Sequence, residues 1–279
     1  MIASLMGAAV VTGAGRGLGL EIARRLAARG LEVNVTDVDG DAASAAAAQL
    51  GGSAWGAQLD VRDAAACRRI AADAAERCGS LDVWVNNAGI LVTGLSWEHD
   101  EDMRRAVVDV NAHGTFNGTL AALDLMRPAD RGHVINIISL AGLVAAPGET
   151  LYGASKHAAI AFTIGTLADL RRSGTKGVWL SAVCPDGVWT PMLYDKLDDP
   201  DAAVSFSGHF MRPETVAERT VALLDRPRAL LTIPRRRAAF LRVADMLPGF
   251  ATRMLPLVLA DARRRQRRWK KRIEAGRGP

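Results

Sequence analysis

The chain has 279 residues, 49% hydrophobic and 23% charged, which suits one large α/β domain and excludes a disordered or collagen-like chain. Its net charge of +5 gives the main body no nucleic-acid footprint. Eight cations and no acid sit in Arg263–Arg272, and the remainder is mildly acidic. Cys67, Cys78 and Cys184 form no CxxC pair, so neither a disulfide framework nor a zinc site is indicated and a reducing cytoplasm is expected. The amino terminus, MIASLMGAAVVTGAG, lacks the cationic region of a secretory leader, and no uninterrupted apolar run is long enough to span a bilayer.

In chain order, short β-rich apolar runs alternate with longer Ala/Leu/Arg stretches. Strands are predicted at 8–12, 32–37, 54–58, 81–86, 133–138, 178–183 and 230–233, and helices at 17–29, 41–50, 63–78, 101–126, 151–172 and 213–224. This is the pattern of repeated βαβ units. It predicts a single Rossmann-type, doubly wound parallel sheet of about seven strands with helices on both faces, its strand carboxyl ends on one ligand-binding edge. Residues 192–211 are a polar insertion at that edge and a candidate lid. Beyond residue 234 the pattern changes, so a catalytic domain over 1–234 is followed by an amphipathic, basic helical extension over 235–279.

The first strand runs into Thr12-Gly13-Ala14-Gly15-Arg16-Gly17-Leu18-Gly19. A strand, a glycine turn and a helix amino terminus together suit a pyrophosphate, because glycine permits close backbone approach and the unpaired N–H groups favour negative charge. The G-x-G-x-x-G pattern is not met. Gly13, Gly17 and Gly19 instead form G-x-x-x-G-x-G, which an ordinary glycine-rich turn would also satisfy. Asp37 strengthens the nucleotide reading, since an acid ending the second strand accepts from both ribose hydroxyls and repels a 2′-phosphate, favouring NAD over NADP. Arg16 pulls the other way, because a guanidinium in the turn can pair with that phosphate.

Tyr152 and Lys156 lie four apart on a predicted helix, on one face, and Ser139 closes the preceding strand at the same sheet edge. An ammonium beside the phenol is expected to lower its pKa and let it exchange a proton near neutral pH, while Ser139 holds the substrate oxygen. With two tyrosines and five lysines in the chain, a Y-x-x-x-K arises by accident about 0.04 times.

These motifs resemble the short-chain dehydrogenase/reductase family from Gly13 to Thr190, and the element order extends the match to about residue 233. The resemblance implies an oxidoreductase acting on an alcohol or ketone. Ser139, Tyr152 and Lys156 would be its catalytic set, Lys156 would also bond the nicotinamide ribose, and Asn111 in DVNAHG would help hold a proton-relaying water. It further implies cofactor contacts at the glycine turn, at Asp60 and Val61 beside the adenine, at Asn87-Ala88-Gly89, and at Pro185, Val188 and Thr190 near the carboxamide. Homodimers or homotetramers built on the long fourth and fifth helices are implied as well. One departure is Pro185-Asp186-Gly187 in place of the usual proline-glycine, with Asp186 expected to face solvent.

Two other classes stay open: an isomerase or lyase with tightly held nicotinamide, and a nucleotide sensor without chemistry. Leu140, Val144, Trp189, Met192, Leu193 and Phe206 are candidates for an apolar substrate pocket. His99, His113, His133, His157 and His209 lack metal-ligand spacing, so no metal is expected, and His157 reads as a helix-surface residue. Asp109 and Asp124 read as solvated helix acids. In the extension, Pro248 and Pro256 predict two short helices broken at the prolines. Their apolar faces either pack on the body or, with the arginines and Trp269, contact an anionic membrane surface peripherally; specific nucleic-acid binding is not expected.

Overall fold

The computed structural model describes residues 7–52, 54–208 and 210–275. The first six residues, Ser53, His209 and the last four lie outside the described residues, together with the expectations that fall on them. Seven parallel strands form one sheet: β1 Ala8–Thr12, β2 Glu32–Asp37, β3 Trp55–Gln58, β4 Leu81–Asn86, β5 Gly132–Ile137, β6 Val178–Pro185 and β7 Leu230–Ile233. Their order is β3-β2-β1-β4-β5-β6-β7, so the winding reverses between β1 and β4, where a crevice opens at the carboxyl edge.

Strand alternation sends β1 to two cores. Ala9 and Val11 pack with α1 (Gly17–Ala28), α2 (Gly40–Leu50) and α8 (Pro213–Val221), which follows the short α7 (Pro191–Tyr194), on one face. Ala8 and Val10 pack with α3 (Ala64–Cys78), α5 (Gly114–Met126) and α6 (Thr150–Arg172) on the other. The single helix predicted over 101–126 is divided, with α4 (Glu101–Val108) and α5 joined by a π turn at Asp109–His113. Asp109 pairs with His113 at 2.9 Å, and Asp124 is exposed.

A buried polar chain ties β4 and β5 to α5 and α6. Trp84 Nε1 donates to Asn86 Oδ1 at 2.7 Å, Asn86 Nδ2 to Asn136 Oδ1 at 2.8 Å, and Asn136 Nδ2 to Thr163 Oγ1 at 2.8 Å. Four buried polar side chains are thereby satisfied, and the register of α6 against the sheet is set by directional bonds as well as by packing. His133, fully buried beside Ser181 Oγ at 2.8 Å, is pushed by burial down to about 3 and is neutral.

The C-terminal region departs from expectation. The expected break at Pro248 is present, between α9 (Arg235–Asp245) and α10, but α10 then runs unbroken over Pro248–Glu274 with Pro256 inside it. Pro256 falls within the first turns of a 27-residue helix. The one missing hydrogen bond there is outweighed by tertiary packing further along. Ala262, Gln266 and Trp269, spaced four and three apart, face the body. Gln266 Nε2 donates to Lys196 O at 3.1 Å and Asp199 O at 2.7 Å, and Trp269 packs on Phe210 with ring centroids 4.7 Å apart.

Candidate active site

The glycine turn is built for close approach. Gly13 and Gly17 have φ of +60° and +63°, a region that side chains other than glycine rarely enter. A Cβ at Gly13 would lie 2.7 Å from Ala88 Cα, and one at Gly19 would lie 2.5 Å from Gly13 O. Arg16 caps α1 without a side-chain bond, so the first N–H groups of that helix remain for a ligand. Leu18 turns inward to the core, and Arg16 is exposed at the rim. Asn87 locks the fourth strand to this turn, donating from Nδ2 to Thr12 O at 3.0 Å and Gly13 O at 2.8 Å. Ala88 N bonds Thr12 Oγ1 at 3.1 Å.

Asp37 is held facing the turn. Its Oδ2 accepts from Gly15 N at 3.0 Å and its Oδ1 from Asp39 N at 3.2 Å. Asp60 and Val61 line the same crevice, but Asp60 spends its carboxylate on Arg62, Oδ2 to Nη2 at 2.6 Å, which holds it below the usual carboxylate range. Val61 is buried against Gly114, and its carbonyl accepts from Asn117 Nδ2 at 2.9 Å. Pro185 ends β6, and Val188 bridges Met211. Thr190 comes over Gly17, 3.6 Å from where a Cβ would stand. An open helix terminus, positive-φ glycines and a fixed acid at ribose distance along the chain fit a dinucleotide.

Ser139, Tyr152 and Lys156 meet at the inner end of this crevice. Ser139 lies two residues past β5 and caps a 3₁₀ turn, its Oγ accepting from Ala141 N at 3.1 Å. Tyr152 is buried, and Lys156 Nζ sits 5.6 Å from its ring centroid while donating to Ile137 O at 3.3 Å. Burial drives the Tyr152 phenol above its ordinary value, opposed by a hydrogen bond with Ser139, and pushes the Lys156 ammonium down to about 8. The lowering expected of Tyr152 is therefore not what the protein alone produces. Desolvation outweighs a cation that lies over the ring face. Asn111, in the π turn, is fully buried with its amide satisfied: Nδ2 donates to Ile90 O at 2.9 Å and Ser155 Oγ at 3.0 Å, and Oδ1 accepts from Ile90 N at 2.8 Å. Its main-chain carbonyl accepts from Thr115 Oγ1 at 2.8 Å and keeps a second lone pair. Gly89 packs between Asn111 and Lys156.

The crevice widens into a cavity, the two together enclosing about 1350 Å³, and the apolar end is walled by Leu140, Val144, Met192 and Leu193 and by Phe240, Leu241 and Leu255 of α9 and α10. Two expected pocket residues are elsewhere. Phe206 is fully buried in the insertion against Leu193 and Ala202, and Trp189 stacks on Tyr194, Phe210 and Trp269. Both rings hold the insertion together. Asp186 is also corrected: its side chain is 11% exposed and pairs with Arg237 of α9 at 2.6 Å, because α9 folds back over the loop that carries it. His157 is exposed on α6, as expected.

Glu149 was not anticipated. It starts α6 three residues before Tyr152, is 3% exposed, lines the cavity, and accepts from Ser205 N of the insertion at 3.2 Å. Burial raises it to about 7, with Asp199 and Asp186 adding to the shift. An acid at a helix start ordinarily reads as a solvated partner of the dipole. No sequence signal flags its burial, which the insertion alone imposes. No group of three or more potential metal ligands is present among the described residues.

Crevice, buried tyrosine and buried lysine at the sheet's switch point are those of a dinucleotide-binding oxidoreductase. The family model described as short chain dehydrogenase matches residues 7–201, and the chain belongs to that family. It is 39% identical over 197 residues to 1-deoxy-11-beta-hydroxypentalenate dehydrogenase of Streptomyces exfoliatus, covering 67% of this chain and 69% of that one. It is 34% identical over 220 residues to the inactive 2-(S)-hydroxypropyl-CoM dehydrogenase 2 of Xanthobacter autotrophicus, 76% and 94% covered. A solved short chain dehydrogenase/reductase from Burkholderia phymatum in complex with NAD matches with a TM-score of 0.76 at 26% identity, covering 100% of this chain and 98% of that one. The protein is thus an oxidoreductase acting on CH–OH groups.

Proposed function

We propose that the protein interconverts an apolar secondary alcohol and its ketone with NAD, using Tyr152 as the proton-transfer group. The observation that carries this reading is the convergence of Ser139, buried Tyr152 and buried Lys156 where the glycine crevice meets an apolar cavity. Bound nicotinamide supplies the hydride donor or acceptor. In reduction, the Tyr152 hydroxyl donates its proton to the carbonyl oxygen, and the high phenol pKa keeps that proton available. In oxidation, Tyr152 first releases its own proton toward solvent, and the phenolate oxygen then takes the alcohol proton. Ser139 Oγ donates to the same substrate oxygen and orients it. Lys156 is still largely protonated at neutral pH; it offers its ammonium to the ribose hydroxyls and stabilises the phenolate. Asn111 acts as a positioning residue, with its main-chain carbonyl available to a proton-relaying water.

The NAD preference is supported by Asp37, whose carboxylate is aimed into the turn while Arg16 stands at the rim. Catalysis belongs to residues 1–234, and α9 with the first part of α10 in the extension over 235–279 completes the wall of the cavity. Self-association is assigned to α5 and α6, which leave Leu120, Leu125 and Ile164 exposed beside the Phe116–Phe162 stack. The three cysteines are free, with thiols pushed up by burial, in keeping with a cytoplasmic enzyme. The test is a panel of apolar secondary alcohols and ketones assayed with both nicotinamide cofactors at the reduced-nicotinamide absorbance. Turnover with a higher kcat/KM for NAD is expected. Nicotinamide that co-purifies and is never released would mark an isomerase or lyase, and reversible binding without turnover a sensor.

A further inference from the structure

Helix α9 shows solvent an apolar stripe. Phe240 and Val243, three apart, continue into Met246 and Leu247 at the corner before α10, with Phe240 70% and Met246 79% exposed. Across the corner, Leu257 is 65% exposed, with Met254 and Val258 beside it. Single exposed apolar residues need no explanation, but a run of them on two adjoining helices marks an interaction surface. Phe240, Leu257 and Val258 also line the cavity. Side chains that wall a cavity and are largely exposed stand at its mouth, so the patch and the opening of the substrate pocket coincide.

The charge around the patch identifies its occupant. Arg253, Leu257, Arg264 and Arg268 are separated by four, seven and four residues, one, two and one further turn along the outward side of α10, and all are exposed. Arg263, Arg267, Lys271 and Arg272 are exposed on the same half of the helix, whereas its acids Asp261 and Glu274 are partnered by Arg265 and Lys270. Apolar side chains flanked by cations on one outward face suit a bilayer with anionic headgroups, which takes up the first and attracts the second. A second copy of the chain fits poorly, since an isologous contact here would bring two equally basic α10 helices into one interface while their acids Asp261 and Glu274 are already partnered. Trp269, which the sequence offered to the headgroups, is committed to the body.

We propose that the α9–α10 corner docks the protein peripherally on an anionic phospholipid surface, with the cavity mouth against the lipid, so that an apolar substrate enters from the membrane. The docking stands on geometry and charge alone; the substrate route rests on the function proposed above. The test is flotation of the full-length protein with phosphatidylglycerol/phosphatidylcholine vesicles and with pure phosphatidylcholine vesicles, at low and high salt. At least about tenfold more protein is expected with anionic vesicles at low salt, falling as salt rises. The triple variant Val243→Ser/Met246→Ser/Leu247→Ser, whose residues lie outside the cavity wall, should lose flotation and keep its turnover of a water-soluble alcohol. The idea is overturned if wild-type protein stays with the soluble fraction on anionic vesicles at low salt, or if the triple variant floats as wild type does. It is equally overturned if the substitutions dissociate a dimer instead. Since flotation needs no catalysis, its failure is distinguishable from failure of the proposed reaction.

Discussion

Tyr152 carries the hardest demand on a single side chain, because its phenol must part with a proton from a site that burial makes hostile to the anion. Tyr152→Phe keeps the ring and removes the proton. Turnover is expected to fall at least about a hundredfold with nucleotide affinity nearly unchanged, as measured by steady-state kinetics and nucleotide titration; near-native turnover would take Tyr152 out of the mechanism. Asp37→Ala removes a ribose acceptor and a phosphate-repelling charge together. The ratio of kcat/KM for NAD over NADP should drop by about tenfold or more, with Arg16 then free to assist the phosphate. A wild-type enzyme that already prefers NADP would refute the weight placed on Asp37. Glu149 makes a thermodynamic signature. Its neighbours from the insertion and the β6 loop are Asp199 and Asp186, the latter paired with Arg237, and Tyr152 lies on its own helix. Because its folded value of about 7 exceeds the ordinary 4.5, the neutral carboxyl contributes stability that is complete below pH 4.5 and lost as pH rises through 7. Glu149→Gln should therefore gain on wild type across that window by on the order of 2–3 kcal/mol. Urea unfolding at several pH values checks this, and a difference independent of pH would contradict it.

Among the elements, α5 and α6 depend on what they leave empty. Gly118 on α5 has no room for a methyl, since a Cβ would come within 2.1 Å of Asn86 Oδ1 and 2.6 Å of Trp84 Nε1, two atoms bonded to each other. Alanine there would gain about 1 kcal/mol in helix propensity. It would also break a satisfied buried chain and overpack the helix on the sheet, which costs about 1–3 kcal/mol for the clash and about as much again for an orphaned polar group. Gly118→Ala is expected to be net destabilising, with a lower Tm in thermal unfolding. A stabilised variant would show that the Asn86–Asn136–Thr163 chain does not set the spacing of these helices.

At the scale of the whole molecule, α10 joins the insertion over the cavity to the rest of the protein through Gln266, Trp269 and the Lys270–Asp198 pair. Gln266→Ala/Trp269→Ala should loosen that cover and raise KM for an apolar substrate by about tenfold while nucleotide affinity holds; unchanged KM would make α10 a bystander to catalysis. The sequence alone determined the seven strands, the glycine turn and the Ser139/Tyr152/Lys156 spacing, because hydrophobic period, turn chemistry and helical spacing are local quantities written every few residues. Even there the ends of β5 and β6 shifted, and the π turn at Asp109–His113 left no mark in the composition. Only the tertiary structure decided that Asp186 meets Arg237, that Glu149 is buried, that Phe206 and Trp189 brace the insertion, and that α10 passes Pro256 to lie on it. Each of those depends on which residues distant in the chain come to cover which, and the cost of burying a charge or the gain of packing a ring exists only once the cover is in place.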